Sequence, residues 1–148
     1  MASRNITDCI QELQNAWPKL KAEFEHMFPG WKMILTATYR TPEEQFKIFQ
    51  DGRTFNHDLG QWIVHDQAQV KTMRDGIKRL SLHNDFPAKA FDVALINPAG
   101  AAVWTSPVKP FPEQWAALPG LAPLFGLENG GSWSRLHDWP HFQLRIKP

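Results

Sequence analysis

An aspartate in the middle of an apolar run is the first sign of chemistry in this sequence. Asp92 stands within residues 90–96, Ala-Phe-Asp-Val-Ala-Leu-Ile, a stretch with the length and character of a buried strand. An ionised carboxylate there is costly unless something cationic is paired with it. No Lys or Arg lies inside the run, and the nearest, Lys89, is three residues before the aspartate. The partner must come from elsewhere in the chain or be a metal ion. His83, nine residues earlier behind a Pro-containing loop, is a natural co-ligand if that loop folds back over the strand. A distant Arg would also satisfy Asp92, leaving His83 as a surface residue, and both alternatives stand at this point.

A third candidate ligand comes from residues 138–146. His141, Gln143 and Arg145 alternate with Phe142, Leu144 and Ile146, which predicts a half-buried strand, and Pro140 argues against a helix. Two His and one Asp are a sufficient protein shell for a catalytic zinc, whose fourth position goes to water. Zinc lowers the pKa of that water to about 7, and a nearby carboxylate can take its proton as general base. Asp138 has the residue type and the proximity to His141. Arg40 could then stabilise the oxyanion formed on a carbonyl, although a surface Arg paired with Glu43 or Glu44 accounts for it as well.

The elements that must position these groups are mostly legible. Residues 6–27 read as a helix capped by Thr7 or Asp8, with Ile10, Leu13, Trp17, Leu20, Phe24 and Met27 on one face and a break expected at Pro18. Cys9 is taken as a small side chain without a catalytic role. Residues 33–39 alternate as a strand that ends at Arg40. Thr41-Pro42-Glu43-Glu44 has the grammar of a capping box, opening a helix to about Gln50. Residues 54–79 are the least legible: a loop at 55–60, a short helix over 66–74 and a turn at Asp75-Gly76. His57 and His65 have no partner at a metal-binding spacing and are expected to be exposed. After the Asp92 strand come a turn at 97–100, a return strand near Val103-Trp104 and a Pro-rich loop at 109–112. A short helix over 113–118 is broken by Pro119-Gly120, and a second helical turn runs to about Phe125. Residues 126–133 are read as a bent glycine-rich loop whose Trp133 packs on the core.

Composition sets the bounds. At 148 residues with 43% apolar content, one domain with a true core is expected, comprising an N-terminal helical segment (1–30) and a catalytic core (31–146). A formal charge of +1 leaves no electrostatic footprint for nucleic acid. The single cysteine, Cys9, excludes an internal disulfide and a Cys-rich zinc site. No stretch has the length of a membrane span, and the first residues lack the apolar segment of a signal peptide. Synthesis in the cytoplasm is therefore expected, as a monomer.

Four ordered segments carry a family resemblance. Ser81-x-His83-Asn84-x-x-Pro87-x-x-Ala90-x-Asp92 resembles the Ser-x-His…Ala-x-Asp signature of the zinc D-alanyl-D-alanine carboxypeptidase and L-alanyl-D-glutamate endopeptidase superfamily, more narrowly its phage and prophage endolysin branch. Thr38-Tyr39-Arg40-Thr41-x-x-x-Gln45, Gly126-Leu127-x-x-Gly130-Gly131-x-Trp133 and Asp138-x-Pro140-His141-Phe142 are similar to its other blocks. The resemblance implies zinc at His83, Asp92 and His141, a general base at Asp138, carbonyl polarisation by Arg40, and substrate contacts from Ser81 and Gln45. It also implies the small α+β hedgehog/D,D-peptidase fold, an antiparallel sheet with packed helices, acting on peptidoglycan stem peptides in the periplasm of a bacterial host after release. D-Alanine trimming and a non-catalytic zinc-binding wall or phage module remain alternatives. Asn129, Gln143 and His137 depart from the family pattern, and His137 could compete for metal.

Overall fold

A computed structural model describes residues 1–105 and 110–145 of the chain. The helices are α1 (Gln11–Met27), α2 (Pro42–Phe49), α3 (Glu113–Ala116) and α4 (Leu118–Leu121). The strands are β1 (Lys32–Ala37), β2 (Arg53–Asn56), β3 (Gln61–Val64), β4 (Ala90–Ile96), β5 (Ala102–Val103), β6 (Leu127–Gly130) and β7 (Asp138–Leu144). Strands β1, β4, β7 and β6 form one antiparallel sheet in that order, with β5 paired to the end of β4, while β2 and β3 form a separate hairpin. The fold class is thus α+β, an antiparallel sheet with helices packed on it. Among the described residues no helix is long and apolar enough to cross a membrane. Lys109 of the expected Pro-rich loop, and Ile146, lie outside the described residues.

Strand alternation divides the work of β4. Phe91, Val93 and Leu95 enter the core against Leu13, Leu20 and Phe24 of α1 and Trp115 and Leu118 of α3 and α4. Burial of each such side chain stabilises the fold by roughly 1.5–3 kcal/mol. The intervening Asp92 belongs to the other face.

Several expectations need correction. The first helix starts later than residue 6: a 3-10 turn, Ile6–Asp8, precedes it, and Cys9 then bridges to Ala88 before α1 begins. Asn5 caps that turn, and Ile10 stands at the N-cap of α1 without a side-chain bond, so neither Thr7 nor Asp8 caps the helix. Pro18 does not break α1. It is exposed, while Leu13, Ala16, Leu20 and Phe24 hold the buried face in register on both sides of it.

Residues 55–60 are not all loop, because Arg53 to Asn56 pair with Val64 to Gln61 in a hairpin. Phe55 and Trp62 pack across it with ring centroids 5.5 Å apart, a non-local pairing invisible in either strand alone. The helix expected over 66–74 is only a 3-10 turn, Gln67–Gln69, capped by Asp66. Pro119 and Gly120 lie inside α4, with Pro119 in the first turn where its missing N–H costs nothing.

A bulge in β7 matters most for chemistry. Asn129 pairs with Phe142 but Gly130 pairs with Asp138, so one step along β6 is matched by four along β7. In a regular strand residues 138 and 141 would face opposite sides; the bulge brings the Asp138 carboxylate to 4.0 Å from His141 Nδ1. No side chain fits at Gly130, where a Cβ would collide with the Asp138 carbonyl, or at Gly131, where it would meet the Trp139 ring. Gly130→Ala is expected to destabilise the protein by about 1–3 kcal/mol in denaturant titration. Gly120→Ala, with open space around it, should stay within about 1 kcal/mol of wild type. Equal stability of the two variants would contradict the crowding argument.

Candidate metal centre and its groove

The register of the sheet builds the centre. Asp92 pairs directly with His141 across the β4–β7 ladder, and with Ala37 of β1 on its other side. His83 arrives from a 3-10 turn, Leu82–Asn84, just past the end of β1. That turn is tightly held. Arg40 N–H donates to the His83 carbonyl at 2.8 Å, and Asn84 Nδ2 donates to the Arg40 carbonyl at 2.8 Å. Ser81 Oγ accepts from His83 N–H at 3.2 Å, and Asn84 Oδ1 accepts from Ser81 N–H at 2.9 Å.

Three donor atoms converge as a result. His83 Nε2 lies 3.1 Å and His141 Nδ1 3.4 Å from Asp92 Oδ1, and one ligand atom from each of the three residues falls within 4.8 Å of the others. Tetrahedral ligands of zinc at 2.0–2.2 Å sit about 3.4 Å apart, so the spacing suits one ion. The chemistry of the donors suits it too. His83 Nδ1 lies 2.7 Å from the Thr38 carbonyl, which can only accept, so the proton is on Nδ1 and the lone pair of Nε2 faces inward. His141 Nε2 lies 2.9 Å from Gln143 Oε1. The orientation of that amide is settled by Gln143 Nε2, which donates to Glu128 Oε1 at 2.5 Å. His141 therefore keeps a proton on Nε2, and on metal binding it is Nδ1, now directed at Asp92, that would give up its proton and offer a lone pair.

Both alternatives for neutralising Asp92 meet at this point. Arg40 Nη2 lies 3.4 Å from Asp92 Oδ2, so a distant Arg does reach it, yet His83 is no surface residue, being only 2% exposed. Arg40 is not the surface partner of Glu43 or Glu44: Glu44 accepts from Thr41 N–H and pairs with the amino terminus. Burial works against ionisation of Asp92, but the charges and hydrogen bonds of His83 and His141 outweigh it and hold the carboxyl well below its usual range. Burial disfavours the His141 imidazolium, and Asp92 and Asp138 more than reverse this, so its pKa is raised. Asp138 is pushed up to about 6, first by desolvation and then by the charge of Asp92.

Gln45 corrects an expectation. It is fully buried, accepts from Arg40 Nη1 at 2.8 Å, and donates to Thr72 Oγ1 and the Arg74 carbonyl, so it holds Arg40 rather than touching substrate. Ser81 lines the groove and also caps the His83 turn. Trp133 is not a core residue; its ring packs on His141, centroids 5.1 Å apart. His137 is drawn to the Gly131 carbonyl at 2.9 Å and stays outside the triad. His57 and His65 are exposed.

Four supporting groups were missed from the sequence. The Thr38 carbonyl and Glu128 carry no local signal. Gln143 shares the face of His141 by alternation, which was the available clue. Asn129 is buried, donates to the Trp139 and His141 carbonyls, and accepts from Gly131 N–H, so it secures both sides of the bulge.

No protein-family model matches the chain. A curated relative, the peptidoglycan L-alanyl-D-glutamate endopeptidase CwlK of Bacillus subtilis (strain 168), is 25% identical over 118 residues, covering 78% of this chain. The chain spans 62% of that relative's length. The crystal structure of Serratia marcescens L-Ala D-Glu endopeptidase ChiX is 21% identical, with a TM-score of 0.49 over 97% of this chain and 90% of that one. The CwlK match supports the superfamily resemblance drawn from the four motifs.

Two outcomes follow. Between the unfolded carboxyl value of 3.8 and about 6, the unfolded chain releases a proton that folded Asp138 still holds. Folding of the metal-free protein therefore loses stability as pH rises through that window. Asp138→Asn should accordingly raise the metal-free Tm at about pH 8 and leave it unchanged at about pH 4; a gain at the lower pH alone would reverse the argument. Gln143→Leu removes the acceptor at His141 and should weaken zinc binding about 10- to 100-fold in a competition titration with a chromophoric chelator, whereas unchanged affinity would make the Gln143 contact incidental.

Proposed function

We propose that the chain is a zinc peptidase that hydrolyses peptidoglycan stem peptides at the L-alanyl-D-glutamate bond, serving as an endolysin of phage or prophage origin. One observation carries the reading: ligand atoms of His83, Asp92 and His141 lie within 4.8 Å of one another, with the Asp138 carboxylate 4.0 Å from His141 Nδ1. The endopeptidase activity of CwlK supports the substrate class, and the His-Asn-x-x-Pro spacing after Ser81 supports the endolysin branch.

His83, Asp92 and His141 would hold the zinc. When bound, it supplies a Lewis acid and lowers the pKa of water to about 7. Asp138, whose carboxylate lies 4.0 Å from His141 Nδ1, is placed to take a proton from the attacking water. The protonated carboxyl then returns that proton to the departing amine. Arg40, fixed by Gln45 from one side and by its backbone bonds to the His83 turn from the other, offers its guanidinium to the carbonyl oxygen as charge develops there. The substrate lies in a groove of about 1340 Å3 whose lining includes all five of these side chains.

Turbidity of permeabilised Gram-negative cells, read with and without chelator, tests the chemistry, and mass spectrometry of the released muropeptides tests the bond. Asp138→Ala should cut lysis roughly 10²- to 10⁴-fold while retaining metal, and His83→Ala should lose both lysis and metal. Lysis that ignores chelator, or survives in Asp138→Ala, would overturn the mechanism.

A further inference from the structure

Beside the groove lies a second cleft of about 310 Å3, lined by Gln67, Met73, Arg74, Arg79, Arg135 and Leu136. Met73, Arg74, Arg135 and Leu136 also line the groove that holds His83 and His141, so the two cavities share a wall. Three arginines, all of them exposed, thus line one small cleft, brought there by segments far apart in the chain. Among the described residues, no carboxylate lies within ion-pair distance of any of the three. A cleft lined by cations of one sign favours an anion over a neutral occupant.

The wall is built from an ordered loop. Asp75 Oδ1 accepts from the N–H groups of Ile77, Lys78 and Arg79 at 2.8, 2.9 and 2.9 Å. Gly76 N–H donates to the Arg79 carbonyl at 3.0 Å, and Gly76 has the positive φ of 77° that the turn requires. Asp75, the acidic residue nearest Arg74 in the chain, is thereby committed to backbone. Gln45 Nε2 holds the Arg74 carbonyl at 2.9 Å while Gln45 Oε1 holds Arg40 at 2.8 Å. One buried amide therefore ties the cationic loop to the catalytic arginine.

We propose that Arg74, Arg79 and Arg135 form a carboxylate-binding subsite that takes the free carboxylate of the substrate's D-glutamyl residue. A glutamyl residue joined onward through one of its two carboxyl groups keeps the other, and that group is anionic at neutral pH. Guanidinium is the side chain best shaped for it, because its planar fork pairs both carboxylate oxygens at once. The subsite makes the enzyme selective for stem peptides whose D-glutamyl carboxylate is free over those in which it is amidated. This inference rests on the peptidase reading above.

The test compares two synthetic stem peptides that differ only in whether that carboxyl is an acid or a primary amide, each incubated with the zinc-loaded full chain. Wild type should hydrolyse the acid with a kcat/KM about 10- to 100-fold higher than the amide. Arg74→Gln/Arg79→Gln/Arg135→Gln should abolish that preference while keeping wild-type zinc content and Tm, and the three single variants should erode it if the triple variant does not fold. Equal wild-type rates on both peptides, or a triple variant that still prefers the acid, would overturn the subsite. Failure to cleave either peptide would instead overturn the peptidase reading and the subsite with it.

Discussion

The structure depends on the neutralisation of one carboxylate at the centre of a β-sheet. Asp92 lies midway along β4, whose neighbours on either side belong to the core or to the ladder, and an unpaired charge there would cost several kcal/mol. Three groups meet that charge: His83 Nε2 at 3.1 Å, His141 Nδ1 at 3.4 Å and Arg40 Nη2 at 3.4 Å. They arrive from the end of β1, from the turn behind it and from β7, so the requirement of one side chain gathers most of the catalytic face. Without an ion, the imidazoles and the guanidinium share the carboxylate. With one, the same donors have the spacing and lone-pair directions of a ligand set.

Those directions are imposed from behind. A backbone carbonyl at Thr38 fixes one imidazole, and a Glu128–Gln143 pair fixes the other. Orientation of this kind limits the rotation of each ring and raises its basicity as a ligand. Gln143, conspicuous in the sequence as a departure from the family pattern, thereby has a defined place: its amide oxygen accepts from His141, and its amide nitrogen needs Glu128 to point the oxygen that way. Asn129, another departure, occupies a buried position where its amide holds the bulge together.

The groove carries charges of both signs. Asp92, Asp138 and Glu128 line it together with the histidines and Arg40, and Lys71, Arg74 and Arg135 are also in its lining. Gln45 links two parts of that lining through hydrogen bonds to Arg40 and to the loop that carries Arg74. A change in that buried amide would thus be felt in the position of a guanidinium near Asp92 and in a loop that lines the same groove.

Residue type and period determined much of this from the sequence alone. The apolar run around Asp92, the alternation of 141–145, the capping box at Thr41 and the spacing of His83 from Asp92 are local patterns, and each survives in the structure because burial and backbone geometry act over a few residues. What the tertiary structure decided is non-local. The spacing to His141 already favours Asp138 over His137, but the approach of that carboxylate to the ring depends on a bulge that breaks the alternation, where Gly130 and Gly131 leave room for β7. The hairpin of β2 and β3 depends on Phe55 meeting Trp62, the continuity of α1 through Pro18 on core contacts either side of it, and the burial of Gln45 on a loop thirty residues away in the chain. Local sequence records what each residue prefers; only the packed chain settles which preferences yield where two of them compete for the same space.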